Sequence, residues 1–280
     1  MGEHEPQVKK ALILDFYRQV FWGQDMAAVR EFCDANVRVH APDGGQGLAA
    51  MEQSVRETFA PSALPTPGTG TMPEPALAVA DEDLVVVCFS MPQPEPDDPG
   101  AAFDFFSFDA YRVREGRITE RWPSINRAAP TRLSWSTWGD GTARPRPSAP
   151  GPNPDRAKHL AVDFYRQVFD GQDVGAAKRF VTDDYRQHGR HYPQGRTGLE
   201  NLLSLVFPDG PRPVPESMTL PHVLLAAEGD IVVTAGLLPQ PDPNEPDRRY
   251  PYYAFTAYSI RDGMLAEHWS GVNKASPPRH

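Results

Sequence analysis

The chain has 280 residues, of which 28 are Lys or Arg and 37 are Asp or Glu, for a formal charge of −9. With 40% hydrophobic residues it carries enough apolar side chain for a packed core, which excludes wholesale disorder. An acidic chain without a Lys/Arg cluster is a poor polyanion binder, so neither nucleic acid nor an anionic membrane is expected as a partner. The first six residues are charged and lack the apolar stretch of a signal peptide, which predicts a cytoplasmic protein. Ala11, Leu12, Leu14, Phe16, Val20 and Phe21 recur at helical spacing, predicting a helix over 8–22 that Gly23 ends. Asp25 is placed to cap a second helix running to about Asp34. Val37 to His40 alternate as a short strand, and Ala49–Phe59 form a third helix. Strands follow at about 74–80, 84–91, 103–114 and 117–126, with Pro92–Pro99 as a rigid acidic loop among them. Arg114-Glu-Gly-Arg117 has the turn chemistry of a hairpin, with Gly where φ is positive. The longest apolar run, Leu84 to Met91, is far too short to cross a membrane. Cys33 and Cys88 lie in apolar segments and read as small buried hydrophobes of a reducing compartment.

The chain then starts again. Asp15 to Phe21 (Asp-Phe-Tyr-Arg-Gln-Val-Phe) recurs letter for letter as Asp163 to Phe169. A shift of 148 aligns Asp15–Phe59 with Asp163–Phe207 at 18 identities in 45 positions; a shift of 147 aligns Asp83–Asn126 with Asp230–Asn273 at 16 in 44. A repeat this long is a domain, not a solenoid unit. The expected layout is a first domain over 7–128, a Pro-rich linker over 129–154 and a second domain over 155–276. The linker's Leu133–Trp138 stretch is apolar and expected to pack on a domain. In each repeat helices come first and a run of strands after, an α+β arrangement with a curved antiparallel sheet wrapped around helices. Two tandem cone-like α+β barrels, each with an apolar pocket at its open end, is the predicted architecture.

Strand alternation decides which side chains share a pocket. In the last strand His268, Ser270 and Val272 fall on one face, with Glu267 and Trp269 on the other. The first repeat has Arg121, Pro123 and Ile125 against Glu120 and Trp122. In the strand before, Asp109, Tyr111 and Val113 share a face, as do Thr256, Tyr258 and Ile260. Apolar neighbours make that side the inner one. His40 and His188 end the first strand of each repeat, and Tyr17 and Tyr165 lie in the middle of the first helix. A neutral imidazole at His188, His268 or His40 would serve as a general base near working pH, and two histidines in one pocket would let one accept and one donate a proton. The alternative for His188 is a satisfied strand-end histidine. For Tyr17 and Tyr165 it is core packing with a bonded hydroxyl. Asp109 facing inward is a costly burial unless it has work to do. His188 and His191 lack a clear third ligand, so no metal is expected; no phosphate loop or dinucleotide fingerprint appears, so no nucleotide cofactor is expected either.

The order of elements, with Tyr185-Arg-Gln-His188, Gln194-Gly-Arg-Thr-Gly-Leu199 and Gly263-Met-Leu-Ala-Glu-His-Trp269, resembles the SnoaL-like polyketide cyclases. These belong to the nuclear transport factor 2-like superfamily with ketosteroid isomerase and limonene epoxide hydrolase. The resemblance covers both repeats. It implies a cofactor-independent enzyme doing acid–base chemistry, cyclisation or isomerisation, on a hydrophobic polyketide-like molecule of secondary metabolism. The catalytic candidates are His188, His268, His40 and Asp109; Tyr165, Tyr17, Tyr185, Arg121, Thr256, Tyr258, Trp269 and Ser270 are the candidate substrate-binding residues. Likeness to ketosteroid isomerase pairs Tyr17 with a protonated Asp109 as donors to an enolate oxygen. Three departures stand beside it. Thr256 replaces that Asp in the second repeat, Ala41 and Gly189 stand where the isomerase has its carboxylate base, and Pro123 and Ser270 stand where SnoaL-like sequences often have Asp. The second repeat matches better and is the expected active pocket. The tandem is expected to be an intramolecular pseudo-dimer, with further homo-oligomerisation left open. A non-catalytic module that sequesters an apolar metabolite remains the alternative. An epoxide-opening cyclase or hydrolase is a third, against which the lack of a repeated carboxylate pair counts.

Overall fold

The computed structural model describes residues 4–58, 71–95, 98–124, 145–189, 192–245 and 247–271. The chain divides into two compact units: Met1–Pro147 with Leu238–Ala254 and Gly271–His280, and Ser148–Leu237 with Phe255–Ser270. Leu133–Trp138, Ile125, Val272 and His191 lie outside the described residues.

In the first unit α1 (His4–Phe16) runs on into a π-helical turn, Tyr17–Trp22. A 3₁₀ turn (Met26–Ala28) leads into α2 (Val29–Phe32), then β1 (Cys33–Val39) and α3 (Leu48–Thr58). The strands β2 (Leu77–Asp81), β3 (Leu84–Glu95), β4 (Asp98–Arg114) and β5 (Arg117–Pro123) complete a sheet ordered β1-β5-β4-β3-β2. All its pairings are antiparallel except β1 with β5, which is parallel, so the sheet is mixed. The expected loop at Pro92–Pro99 is instead the end of a long hairpin, with Pro92 opposite Asp104 and Pro94 opposite Ala102. Past Cys88, where pairing with β2 stops, β3 is an edge strand. Prolines two residues apart put both missing N–H groups on the same side, which an edge tolerates.

The second unit repeats the order. The helix α4 (Pro154–Phe164) and its π-turn (Tyr165–Asp170) are followed by a 3₁₀ turn (Val174–Ala176), α5 (Ala177–Phe180), β6 (Val181–His188) and α6 (Gly195–Val206). The strands β7 (His222–Glu228), β8 (Ile231–Leu237), β11 (Tyr253–Arg261) and β12 (Met264–Ser270) join β6 in the order β6-β12-β11-β8-β7. The short β9 (Gln240–Pro241) and β10 (Arg249–Tyr250), in the stretch Leu238–Ala254 that belongs to the first unit, pair with each other. The architecture is therefore α+β with two five-stranded mixed sheets.

Local chemistry accounts for these elements. The Asp25 carboxylate accepts from the backbone N–H groups of Ala27 (3.0 Å) and Ala28 (3.3 Å), and Asp173 accepts from Ala176 (3.1 Å), the N-caps expected before each second helix. Glu115 and Gly116, like Asp262 and Gly263, both have positive φ, the conformation of a type I′ hairpin. The π-turns close by a bond from Gly23 N–H to the Arg18 carbonyl and from Gly171 N–H to the Arg166 carbonyl, each 2.9 Å. A Cβ on Gly23 would lie 2.7 Å from the Gln19 carbonyl oxygen, and one on Gly171 2.6 Å from that of Gln167, so only glycine fits. Phe16 anchors the first core, its ring 5.6 to 6.3 Å from those of Tyr17, Phe21, Phe32 and Tyr111. Phe164 does the same in the second, against Tyr165, Phe169, Phe180 and Tyr258. Cys33 and Cys88 are buried free thiols, and burial pushes Cys33 up to about 12. Among the described residues no helix is long and apolar enough to cross a membrane.

Candidate active site

Register sorts the candidate residues onto two faces of each sheet. On β11 and β12, Thr256 lies opposite Ser270 and Tyr258 opposite His268, while Ala257 faces Trp269 and Ser259 faces Glu267. On β6, Gln187 is level with His268 and His188 with Trp269. Thr256, Tyr258, His268, Ser270, Tyr185 and Gln187 thus share the face that packs on the helix, where the Tyr258 ring is 5.9 Å from Phe164. His188, Trp269 and Glu267 share the opposite face.

His188 and His40 therefore do not join His268 and Asp109, and the expectation of His188 and His268 in one pocket is corrected. The reason is parity: His188 is one residue past the inward Gln187. His188 Nε2 lies 2.8 Å from Glu267 Oε2, and its ring stacks on Trp269 at 4.3 Å. His40 repeats the cluster, 2.9 Å from Glu120 Oε2 and 4.4 Å from the Trp122 ring. Both glutamates have second partners: the Ser259 hydroxyl donates to Glu267 (3.2 Å), and Arg112 pairs with Glu120 (2.9 Å). These are satisfied strand-end histidines, and Trp269 is a stacking partner on that same face.

The inner face of the first unit holds a closed network. Asp109 Oδ2 accepts from the Tyr17 hydroxyl (2.5 Å), the Tyr111 hydroxyl (3.0 Å) and the Arg121 guanidinium (2.8 Å). The other Arg121 terminal nitrogen donates to Ser54 Oγ (3.1 Å). Arg121 has no exposed surface, and Tyr17, Tyr111 and Asp109 are buried with it. Burial raises the Tyr17 and Tyr111 phenols well above their ordinary 10, and the nearby Asp109 carboxylate raises them further. Burial alone would weaken Arg121's hold on its proton; Asp109 outweighs it, so the guanidinium stays charged and Asp109 is its counter-charge. The Tyr17–Asp109 pair exists as expected from the resemblance, and Arg121 joins it as the ion-pair partner of Asp109 at 2.8 Å.

The second unit has different residues at the same places. Thr256 replaces Asp109, His268 replaces Arg121, and Gly236 replaces Phe89, whose ring packs 4.8 Å from Tyr17 in the first unit. The Tyr165 hydroxyl bonds Thr256 Oγ1 at 3.3 Å. The His268 imidazole sits among the rings of Tyr258 (5.3 Å), Tyr192 (5.8 Å) and Tyr185 (6.4 Å). Burial lifts the Tyr185 and Tyr258 phenols well above 10, and raises Tyr192. These phenols therefore stay protonated and can donate hydrogen bonds throughout the neutral range. Tyr165, Phe169 and His268 are partly exposed where Tyr17, Phe21 and Arg121 are buried, so this interior is the more open of the two. Two of its residues were not expected. Tyr192 lies in an irregular segment where strand periodicity gives no face, and His222 follows Pro221 at the start of β7, outside the aligned blocks.

Residues 13–121 match the family model of the SnoaL-like domain. Among solved structures, a SnoaL-like polyketide cyclase from Agrobacterium tumefaciens is 17% identical, covering 41% of this chain and 88% of that one at a TM-score of 0.30. An LEH-like epoxide hydrolase from Mycobacterium tuberculosis is 13% identical, with 42% and 84% covered and a TM-score of 0.30. TsrD from Streptomyces laurentii is 19% identical, with 42% and 89% covered and a TM-score of 0.31. No curated protein matches the chain. Residues 13–121 thus match a SnoaL-like domain, and the second unit builds the same α+β order of elements again.

Proposed function

We propose that the chain is a cofactor-independent enzyme that isomerises or cyclises a hydrophobic, oxygenated, polyketide-like molecule by proton transfer in its second repeat, with the first repeat as a structural partner. The observation that supports this most is the exchange of residues at equivalent positions. Where the first unit has an arginine and a carboxylate that neutralise each other, the second has a titratable imidazole and a hydroxyl. His268 takes a proton from a carbon beside a carbonyl, and the phenols of Tyr258 and Tyr192 donate to the oxygen on which charge develops. The imidazolium then returns the proton to another atom, completing an isomerisation, or to the alkoxide of a new ring. Tyr165, Tyr185, Thr256 and Ser270 line the same face and hold the substrate.

The test is deuterium exchange at the α-carbons of 2-tetralone, a hydrophobic ketone, followed by NMR in D2O. The expected result is exchange accelerated by the native chain and lost by about 100-fold or more in His268→Ala. Asp109→Asn retains the acceleration as long as it folds. Binding of the ketone without acceleration would instead support a module that sequesters its ligand.

A further inference from the structure

His222 stands on β7 opposite Gly236, the position that carries Phe89 in the first repeat. Its ring meets Tyr165 edge-on at 4.5 Å. Both imidazole nitrogens are buried, and among the described residues neither has a hydrogen-bond partner. The nearby Asp170 is buried; its Oδ1 accepts from the Thr219 N–H at 3.3 Å, while its buried Oδ2 has no partner among the described residues either. In the first repeat Trp22 stands where Asp170 does. Buried polar atoms are normally paired, so unmatched ones at one spot mark where a polar group from outside belongs. A neutral imidazole offers one donor and one acceptor, and a carboxylate oxygen adds an acceptor. A hydroxyl group can accept from the imidazole N–H while donating its one proton to the carboxylate oxygen; an apolar group or an ether has no proton to donate.

We propose that His222 and Asp170 form a hydroxyl-binding subsite of the second repeat, so that its ligand is a hydrophobic ring bearing a hydroxyl, held there while Tyr165 packs against the ring. This rests on reading the second interior as the ligand site, and it extends that reading by naming a group the ligand carries. Burial disfavours the charged form of His222, and Asp170 offsets this only in part, so a neutral imidazole presents one N–H to such a hydroxyl.

The experiment uses the full chain and two probes, 2-naphthol and 2-methoxynaphthalene, which differ in the hydroxyl proton. Calorimetry is expected to show 2-naphthol bound about tenfold more tightly, the worth of one well-made buried hydrogen bond. His222→Phe and Asp170→Asn should each collapse that preference towards unity. In the unsubstituted chain the His222 ring ¹⁵N resonances should move with 2-naphthol and stay with the ether, a readout that needs no variant to fold. An unchanged preference in His222→Phe, no binding of either probe, or static ¹⁵N resonances would overturn the proposal. Should 2-naphthol bind as described while 2-tetralone exchange is absent, the subsite stands and the catalytic reading alone fails.

Discussion

Asp109 carries three hydrogen bonds on one oxygen because it neutralises a guanidinium with no access to water. Breaking a buried pair by removing one charge leaves the other uncompensated, at a cost of about 3–5 kcal/mol. Asp109→Asn should therefore lower the stability of the chain by about that amount in denaturant unfolding; a loss below about 1 kcal/mol would mean that Arg121 has another counter-charge. His222 carries the opposite kind of signature. Burial holds its proton affinity below the ordinary 6.5, an effect Asp170 offsets in part, and Tyr165 packs edge-on against its ring. The unfolded chain therefore binds the proton more readily, so His222 costs stability as pH falls through and below about 6.5. Unfolding measured between pH 8 and 5 should show a steeper loss in the native chain than in His222→Phe, and parallel curves would contradict this.

The two π-turns are the elements that set where each interior tyrosine starts. Each begins at the tyrosine and ends against a glycine whose missing Cβ makes room for a carbonyl. Gly171→Ala pushes a methyl onto the Gln167 carbonyl and should cost about 1–3 kcal/mol in thermal unfolding while shifting Tyr165. The accompanying loss of 2-tetralone exchange should exceed that of Gly23→Ala, which disturbs only the first repeat. The caps are a milder case: Asp25→Ala and Asp173→Ala should each cost about 1 kcal/mol. The residues announced the caps and hairpins because their chemistry is local: an Asp at a helix start, and Glu-Gly or Asp-Gly in a turn. The π-turns were hidden inside a continuous helical pattern, since one wider turn barely disturbs the apolar spacing from Phe16 to Phe21. The long β3–β4 hairpin was hidden for a different reason. Prolines argue against a strand unless its edge is free, and which edge is free depends on where β2 stops.

At the scale of the molecule, a duplicated sequence has kept one architecture and diverged at its inner face. The repeat, the α+β order and the inward side of β4, β5, β11 and β12 all follow from pattern, because side chains alternate with a period of two. The placement of His40 and His188 did not, because a strand's last residue takes its side from the register of its neighbour. His222 carries no sequence signal, because its distinction lies in the burial of its two nitrogens, which only the fold defines. Stability and chemistry should separate between the repeats. Changes to Tyr17, Asp109 or Arg121 should alter unfolding, and changes to His268 or Tyr258 should alter turnover. The most direct check is the rate of 2-tetralone deuterium exchange in His268→Ala beside Asp109→Asn, both confirmed folded. A fall of about 100-fold or more in the first with the second near the native rate is the predicted result; full activity without His268, or activity lost only without Asp109, would contradict the assignment of chemistry to the second repeat.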